Sequence, residues 1–288
     1  MNLLKRPSKL RVLLVLGRVS NLPTVWSNCL AGWWLGGAGR LAPLLGVSLC
    51  ASLLYIGGMF LNDAFDAEFD RHNRRTRPIP SGAMSERAVW RWGFAWMALG
   101  LGGMILEGKT AFELSLALAA LILIYNALHK LVPFAPVLMG GCRLLLYLAA
   151  AATGQNGVTG EAIWKGLALG SYVVGLSCLA RKETSRRAPP LWPGLLLAAP
   201  LLLAVLVDNG PAWKGAVIFS VVLALWSCWA LGRSRPGAGH IGLTVSSLLA
   251  GVVLVDLLAV AEPGFAGLVF FVLCFVSALF LQRSIPAT

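Results

Sequence analysis

Ten apolar stretches divide this chain, at about 19–37, 43–62, 88–106, 111–128, 134–153, 161–180, 191–207, 213–232, 241–261 and 264–282. Each approaches the roughly 17 to 25 residues that an α-helix needs to cross the hydrocarbon core of a bilayer. Lipid offers no hydrogen-bond partner to the backbone, so only helices and closed barrels can span it. The runs are too long and too uniformly apolar for the short alternating strands of a barrel. The expected class is therefore an all-α polytopic membrane bundle. Only "AEPG" parts the last two runs, which leaves nine or ten transmembrane helices open. No soluble domain, low-complexity tract or fixed-period repeat interrupts the pattern, so residues 1–288 read as a single integral-membrane domain.

Charge follows the same plan. Only 12% of the 288 residues are charged, about half the share usual in soluble domains, yet 24 Lys and Arg against 12 Asp and Glu leave a net charge of +12. If the N-terminus is cytoplasmic, nineteen of those cations fall on that side: Lys5, Arg6, Lys9, Arg11 and Arg18; Arg71, Arg74, Arg75, Arg77, Arg87 and Arg91; Lys130; Arg181, Lys182, Arg186 and Arg187; Arg233 and Arg235; and Arg283. Arg40, Lys109, Lys165 and Lys214 fall outside, and Arg143 lies within a run. This is the positive-inside distribution; it accounts for the basic charge without a nucleic-acid partner. Six cysteines are scattered through the apolar runs with no CxxC pair and read as small buried hydrophobes. The basic N-terminus reads as retained, since Arg18, Asn21 and Pro23 interrupt the run that follows it.

One place breaks the apolar monotony. In "NDAFDAEFD", Asp63, Asp66, Glu68 and Asp70 are a third of the chain's carboxylates, preceded by Asn62 and followed by a run of arginines. On a helix, Asn62, Asp66 and Asp70 are four apart and Asp63 is three before Asp66, so these four share a face while Glu68 points elsewhere. Acids crowded this way repel one another and need a cation. Oxygen ligands without a thiolate or imidazole partner suit Mg²⁺ or Ca²⁺. The acids could instead pair with Arg71, Arg74, Arg75 and Arg77 on a solvated loop, but the series begins within apolar sequence, "YIGGMFLND", where ionisable residues are expensive and mark function.

"NDAFDAEFD" followed by "RHNRRTRPIPSG" resembles the first aspartate-rich motif, NDxxDxxxD, and the Arg-rich RPIPSG continuation of the UbiA superfamily of membrane prenyltransferases. "GRVSNLPTVWSN", "YNALHK" and "GGCR" match that superfamily more loosely, and the first of these with "LARKE" is most similar to UbiA-like members of bacterial ebo-type gene clusters. The resemblance implies mostly nine helices around a central cavity. It further implies Mg²⁺-dependent transfer of an isoprenoid group from a prenyl diphosphate to a membrane-accessible acceptor, an aromatic one first among the choices, with the mouth at the cytoplasmic face of a bacterial inner membrane. Asn62, Asp63, Asp66 and Asp70 would then hold metal and diphosphate, and Arg71, Arg75 and Arg77 would neutralise the leaving group. Arg18 and Asn21, flanking the Leu22–Pro23 break, would line the mouth, with Arg143 facing the cavity or a polar group there.

Two departures stand out. The second aspartate-rich motif expected after the sixth run is replaced by "SCLARKETSRR", whose only acid is Glu183; Arg181 and Lys182 could grip phosphate directly, with Glu183 a lone ligand or an ion-pair partner. A noncatalytic isoprenoid-diphosphate-binding or lipid-transport homologue is the alternative this departure leaves open. In "YNALHK", His129 stands where many relatives have Lys, and Lys130 follows. Tyr125 and His129 share a helical face, whereas helical geometry rotates Lys130 about 100° away; either His129 or Lys130 could meet phosphate.

Overall fold

The computed structural model describes residues 8–181, 192–207, 212–233 and 241–285, and every regular element among them is helical. Ser8 caps the first helix, α1 (Lys9–Leu16), by accepting from the Arg11 amide. A 3₁₀ turn, Val19–Asn21, leads into α2 (Leu22–Leu35), with Pro23 in the first turn, where its missing N–H is no loss. Next comes α3 (Leu41–Phe65). At 1.5 Å per residue it is roughly 38 Å long, more than the ~30 Å hydrocarbon core, so one end must emerge. The short α4 (Ala67–Asn73) continues it, and a loop then reaches α5 (Glu86–Met104), capped by Ser85.

The chain continues through α6 (Lys109–Leu128), α7 (Ala135–Ala151) and α8 (Gly160–Ala180), then α9 (Trp192–Leu197) and α10 (Ala199–Val207). The last elements are α11 (Trp213–Gly232), α12 (Ile241–Ala250), α13 (Val252–Val260) and α14 (Gly264–Ser284). Six segments among the described residues are long and apolar enough to cross a membrane: α3, α6, α8, α11, the joined α12–α13 pair over Gly242–Val260, and α14. The other runs of the expected nine or ten form shorter or interrupted helices: α2 and α7 have 14 and 17 residues, α9 and α10 are separate, and α5 carries Arg87 and Arg91 in its first two turns. The chain is an integral, multi-pass membrane protein. Leu225 on α11 and Leu273 and Phe280 on α14 are exposed apolar side chains of the kind that face acyl chains.

Because lipid tails are as apolar as leucine, helices in a bilayer associate by close packing instead of by hydrophobic exclusion from water. α3 lies along α5, and α7 lies against α2, α6 and α8. α7 and α8 approach closely at Gly140 and Gly170: a methyl on Gly140 would stand 2.6 Å from the Gly170 carbonyl oxygen. Gly140→Val is therefore expected to destabilise the bundle by about 1–3 kcal/mol, read as a lower melting temperature of the detergent-solubilised protein. An unchanged melting temperature would contradict the close contact.

Candidate functional site

The acidic series lies where α3 ends. Asp66 closes α3 and opens α4, yet its amide still donates to the Asn62 carbonyl at 3.0 Å, and the Asp70 amide to the Asp66 carbonyl at 2.9 Å. Helical spacing thus survives the change of helix. Asn62, Asp63, Asp66 and Asp70 are all buried, with Asp70 only 1% exposed, while Glu68 is exposed.

Each buried acid already meets a cation. Arg77 comes from the loop after α4, where Ile79 packs into the cluster formed by Val12, Leu16, Phe60 and Val89 and so ties the loop back onto α3. Its Nη1 reaches Asp63 Oδ1 and Asp70 Oδ2, both at 3.1 Å. Arg18, in the turn before α2, sends Nη2 to Asn62 Oδ1 at 3.0 Å and Asp63 Oδ1 at 3.3 Å. Its backbone is left-handed, φ 41°, a conformation costing a non-glycine residue roughly 1–2 kcal/mol. Strain of this sort persists where surrounding structure imposes it, and it clusters at functional sites.

Asp66 faces the end of α6. Lys130 Nζ stands 2.6 Å from Asp66 Oδ1 and 3.9 Å from the centre of the Phe69 ring; His129 Nε2 is 3.4 Å from the same carboxylate oxygen. Burial works against ionisation of Asp66, but the contacts from His129 and Lys130 prevail and hold its carboxyl below its ordinary value. α6 ends at Leu128 and both residues sit in the turn beyond it; despite the expected rotation, the long side chain of Lys130 reaches the same carboxylate oxygen as His129. Tyr125 stacks on His129 at 5.2 Å between ring centres.

Other expected residues lie elsewhere. Arg71 is exposed and pairs with Glu68 at 2.8 Å and Glu86 at 2.5 Å; Arg75 is exposed. Asn21 is buried and donates to the Tyr55 hydroxyl at 3.1 Å. Arg181 donates to the Val132 and Pro133 carbonyls, each at 3.0 Å, on the exposed loop between α6 and α7. Lys182 and Glu183 lie outside the described residues. Asn126, which did not stand out in the sequence, joins the site: it accepts from Asn62 Nδ2 at 3.1 Å and donates to the Gly58 carbonyl at 3.0 Å. An asparagine inside the apolar run of α6 was the available signal.

Beside these groups opens a cavity. Tyr55, Gly58, Tyr125 and Asn126 line it, with Arg143 among Leu118, Ile122 and Leu146. A largely apolar chamber that Asn126 links to the charged groups through Asn62 suits an amphiphile whose head is anionic and whose tail is hydrocarbon.

The donor set also fits a hard divalent cation. Asp63 and Asp70 converge on one guanidinium nitrogen, and the second oxygen of Asp70 is buried without a hydrogen-bond partner among the described residues. Among the described residues no group of three His, Cys, Asp or Glu side chains is placed to hold a metal ion. Mg²⁺ typically takes one or two carboxylates and fills its octahedron with water and substrate phosphate.

Comparison with known proteins agrees with this geometry. The sequence profile of the UbiA prenyltransferase family matches residues 21–240. A digeranylgeranylglyceryl phosphate synthase of Methanopyrus kandleri is 28% identical over 209 residues, 71% of this chain and 70% of that protein. A 4-hydroxybenzoate octaprenyltransferase of Pseudomonas aeruginosa is 31% identical over 120 residues, 41% of this chain and 40% of that protein. Among solved structures, a UbiA homologue from Aeropyrum pernix K1 superposes with a TM-score of 0.67 at 19% identity, covering 84% of this chain and 96% of that one. One from Archaeoglobus fulgidus, bound to GPP and Mg²⁺, does so with a TM-score of 0.53 at 14% identity, covering 95% and 99%; at these identities the likeness is one of fold. The profile match spans most of the chain and includes the whole acidic series, so the chain belongs to the UbiA prenyltransferase family and is by class a prenyltransferase.

Proposed function

We propose that this chain, acting as one domain over residues 1–288, transfers an isoprenoid group from a prenyl diphosphate to an acceptor within the membrane, with Mg²⁺. The observation that carries the reading is the convergence of Asp63, Asp66 and Asp70 with Arg18, Arg77 and Lys130, next to a largely apolar cavity whose lining residue Asn126 is bonded to Asn62. Asn62, Asp63, Asp66 and Asp70 would hold the cation, which when bound offsets the charge growing on the diphosphate. Arg77 and Arg18 present guanidinium forks suited to bidentate phosphate contact, and Lys130 a point charge. As the allylic carbon–oxygen bond breaks, these groups favour the departing anion more than the bound ester, which is the differential binding that accelerates a reaction. Tyr55 and Tyr125 line the cavity and offer ring faces to the positive charge left on the allylic group.

The acceptor would reach the allylic carbon from the cavity side. The sequence reading puts an aromatic acceptor first, and the name of the Pseudomonas aeruginosa relative supports it; that of the Methanopyrus kandleri protein supports a glyceryl phosphate. Both carry an anionic group. The positive-inside count supports a cytoplasmic N-terminus and mouth, with a bacterial inner membrane as the setting. A second carboxylate pair does not enter this scheme: Arg181 is engaged with loop carbonyls, which leaves the first motif to do most of the gripping.

Two outcomes are expected. Asp63→Ala and Asp66→Ala abolish prenyl transfer, measured by product formation from geranyl diphosphate in membranes, while both proteins insert and purify; full turnover by either would end the proposal. Arg18 separates strain from function. Arg18→Ala loses its contacts and keeps the left-handed backbone, whereas Arg18→Gly relieves about 1 kcal/mol of strain. The Gly variant is therefore expected to melt higher than the Ala variant, with prenyl transfer equally impaired in both; recovery of transfer in the Gly variant would show that the guanidinium is not needed.

A further inference from the structure

A second polar chain crosses the bundle apart from the acids of α3. Arg143 on α7 donates through Nη1 to Asn28 Oδ1 at 2.6 Å and to the Thr24 carbonyl at 3.3 Å, and through Nη2 to Thr24 Oγ1 at 3.0 Å. Asn28 in turn donates through Nδ2 to Asp256 Oδ2 on α13 at 2.7 Å, and the Ser27 hydroxyl donates to the same oxygen at 2.5 Å. Thr24, Ser27, Asn28 and Asp256 have no solvent exposure, whereas Arg143 lines the cavity.

The order of these groups carries information. A buried guanidinium needs a counter-charge, and an aspartate placed directly against it would take two of its donors in a fork. Here the carboxylate stands one residue back, with the Asn28 amide between: its oxygen faces the guanidinium and its nitrogen the carboxylate, the only orientation that satisfies both. Nη1 spends both hydrogens and Nη2 one. The other Nη2 hydrogen and the Nε hydrogen have no hydrogen-bond partner among the described residues. A pair of guanidinium donors is thus fixed in place, yet unspent, on the wall of a largely apolar chamber.

We infer that Arg143 is the acceptor's anion site, binding a carboxylate or phosphate oxygen, and that Asn28 and Asp256 are positioning residues that aim and balance its guanidinium. Coulomb attraction falls with distance, so an oxygen touching Arg143 is drawn to it more than it is repelled by Asp256 one amide farther off. This inference rests on the prenyl-transfer reading, because it places the acceptor in the same cavity as the prenyl chain while leaving the diphosphate to the acids of α3.

The test measures heat unfolding of the full chain in detergent with Mg²⁺. Geranyl S-thiolodiphosphate, a slow-leaving donor, is added first. 4-Hydroxybenzoate or a prenylglyceryl phosphate follows, each beside its neutral counterpart, phenol or prenylglycerol. The wild type is expected to gain a further upward shift from one of the anionic probes and none from its neutral counterpart; which probe acts tells carboxylate from phosphate. Arg143→Gln and Arg143→Lys are expected to lose that shift. Asp256→Asn should bind the probe about 10-fold more weakly, as for loss of support to a charged hydrogen bond. All three should keep the shift from the donor, which also reports that they fold. If Asp256 only stabilised the bundle, its variant would respond to donor and probe alike. No response of a donor-responsive wild type to either anionic probe, an equal response to the neutral counterparts, or probe shifts retained in the variants would overturn the inference. Absence of the donor shift in the wild type would overturn the prenyl-transfer reading and this one with it.

Discussion

Burying three carboxylates at the end of one apolar helix is the constraint on which the site depends. Unopposed, Asp63, Asp66 and Asp70 would repel one another in a medium that screens poorly. The fold answers with cations from three separate places: Arg18 from the turn before α2, Arg77 from the loop after α4 and Lys130 from the end of α6. Much of the surrounding architecture follows from delivering those cations. The left-handed Arg18, the Ile79 anchor of the loop and the abrupt end of α6 at Leu128 each bring a long basic side chain to the acids. Since these elements are distant in sequence, the site and the bundle are assembled together.

On the proposed function, that balance would let one face serve two kinds of ligand. Acids and bases lie side by side, so a divalent cation would find oxygen donors and a diphosphate would find guanidinium and ammonium groups. The adjoining apolar cavity would hold what is left of an amphiphile once its head is fixed. Deeper in the wall, Arg143 repeats the motif of a buried charge with its counter-ion, but interposes Asn28 and leaves donors unused.

What could be read from sequence was local. Helical spacing put Asn62, Asp63, Asp66 and Asp70 on a common face and turned Glu68 outward, and the structure has them so because the i to i−4 amide bonds continue through Asp66. Arg71 was read as a phosphate ligand, and its pairing with Glu86 was not legible because that residue opens a different helix, fifteen residues on. Lys130 was judged by helical rotation alone, yet its long side chain reaches the same Asp66 oxygen as His129. Asn126 and Asn28 carry no charge and drew no notice, although an amide in an apolar run signals a buried bond. Asp256 is an acid inside an apolar run, but its partners lie 228 and 229 residues away, a separation that spacing arguments do not reach. The number of spans was likewise beyond composition, since short and broken helices share the apolar character of full ones.

The most direct test of the central claim is equilibrium binding of radiolabelled geranyl diphosphate to the purified chain, with and without Mg²⁺. The account requires saturable binding that depends on Mg²⁺ and is abolished when inorganic pyrophosphate competes for the head-group site. Binding that is equally tight in excess chelator and indifferent to pyrophosphate would contradict it, because the acids of α3 would then be bystanders to a ligand held by its hydrocarbon tail alone.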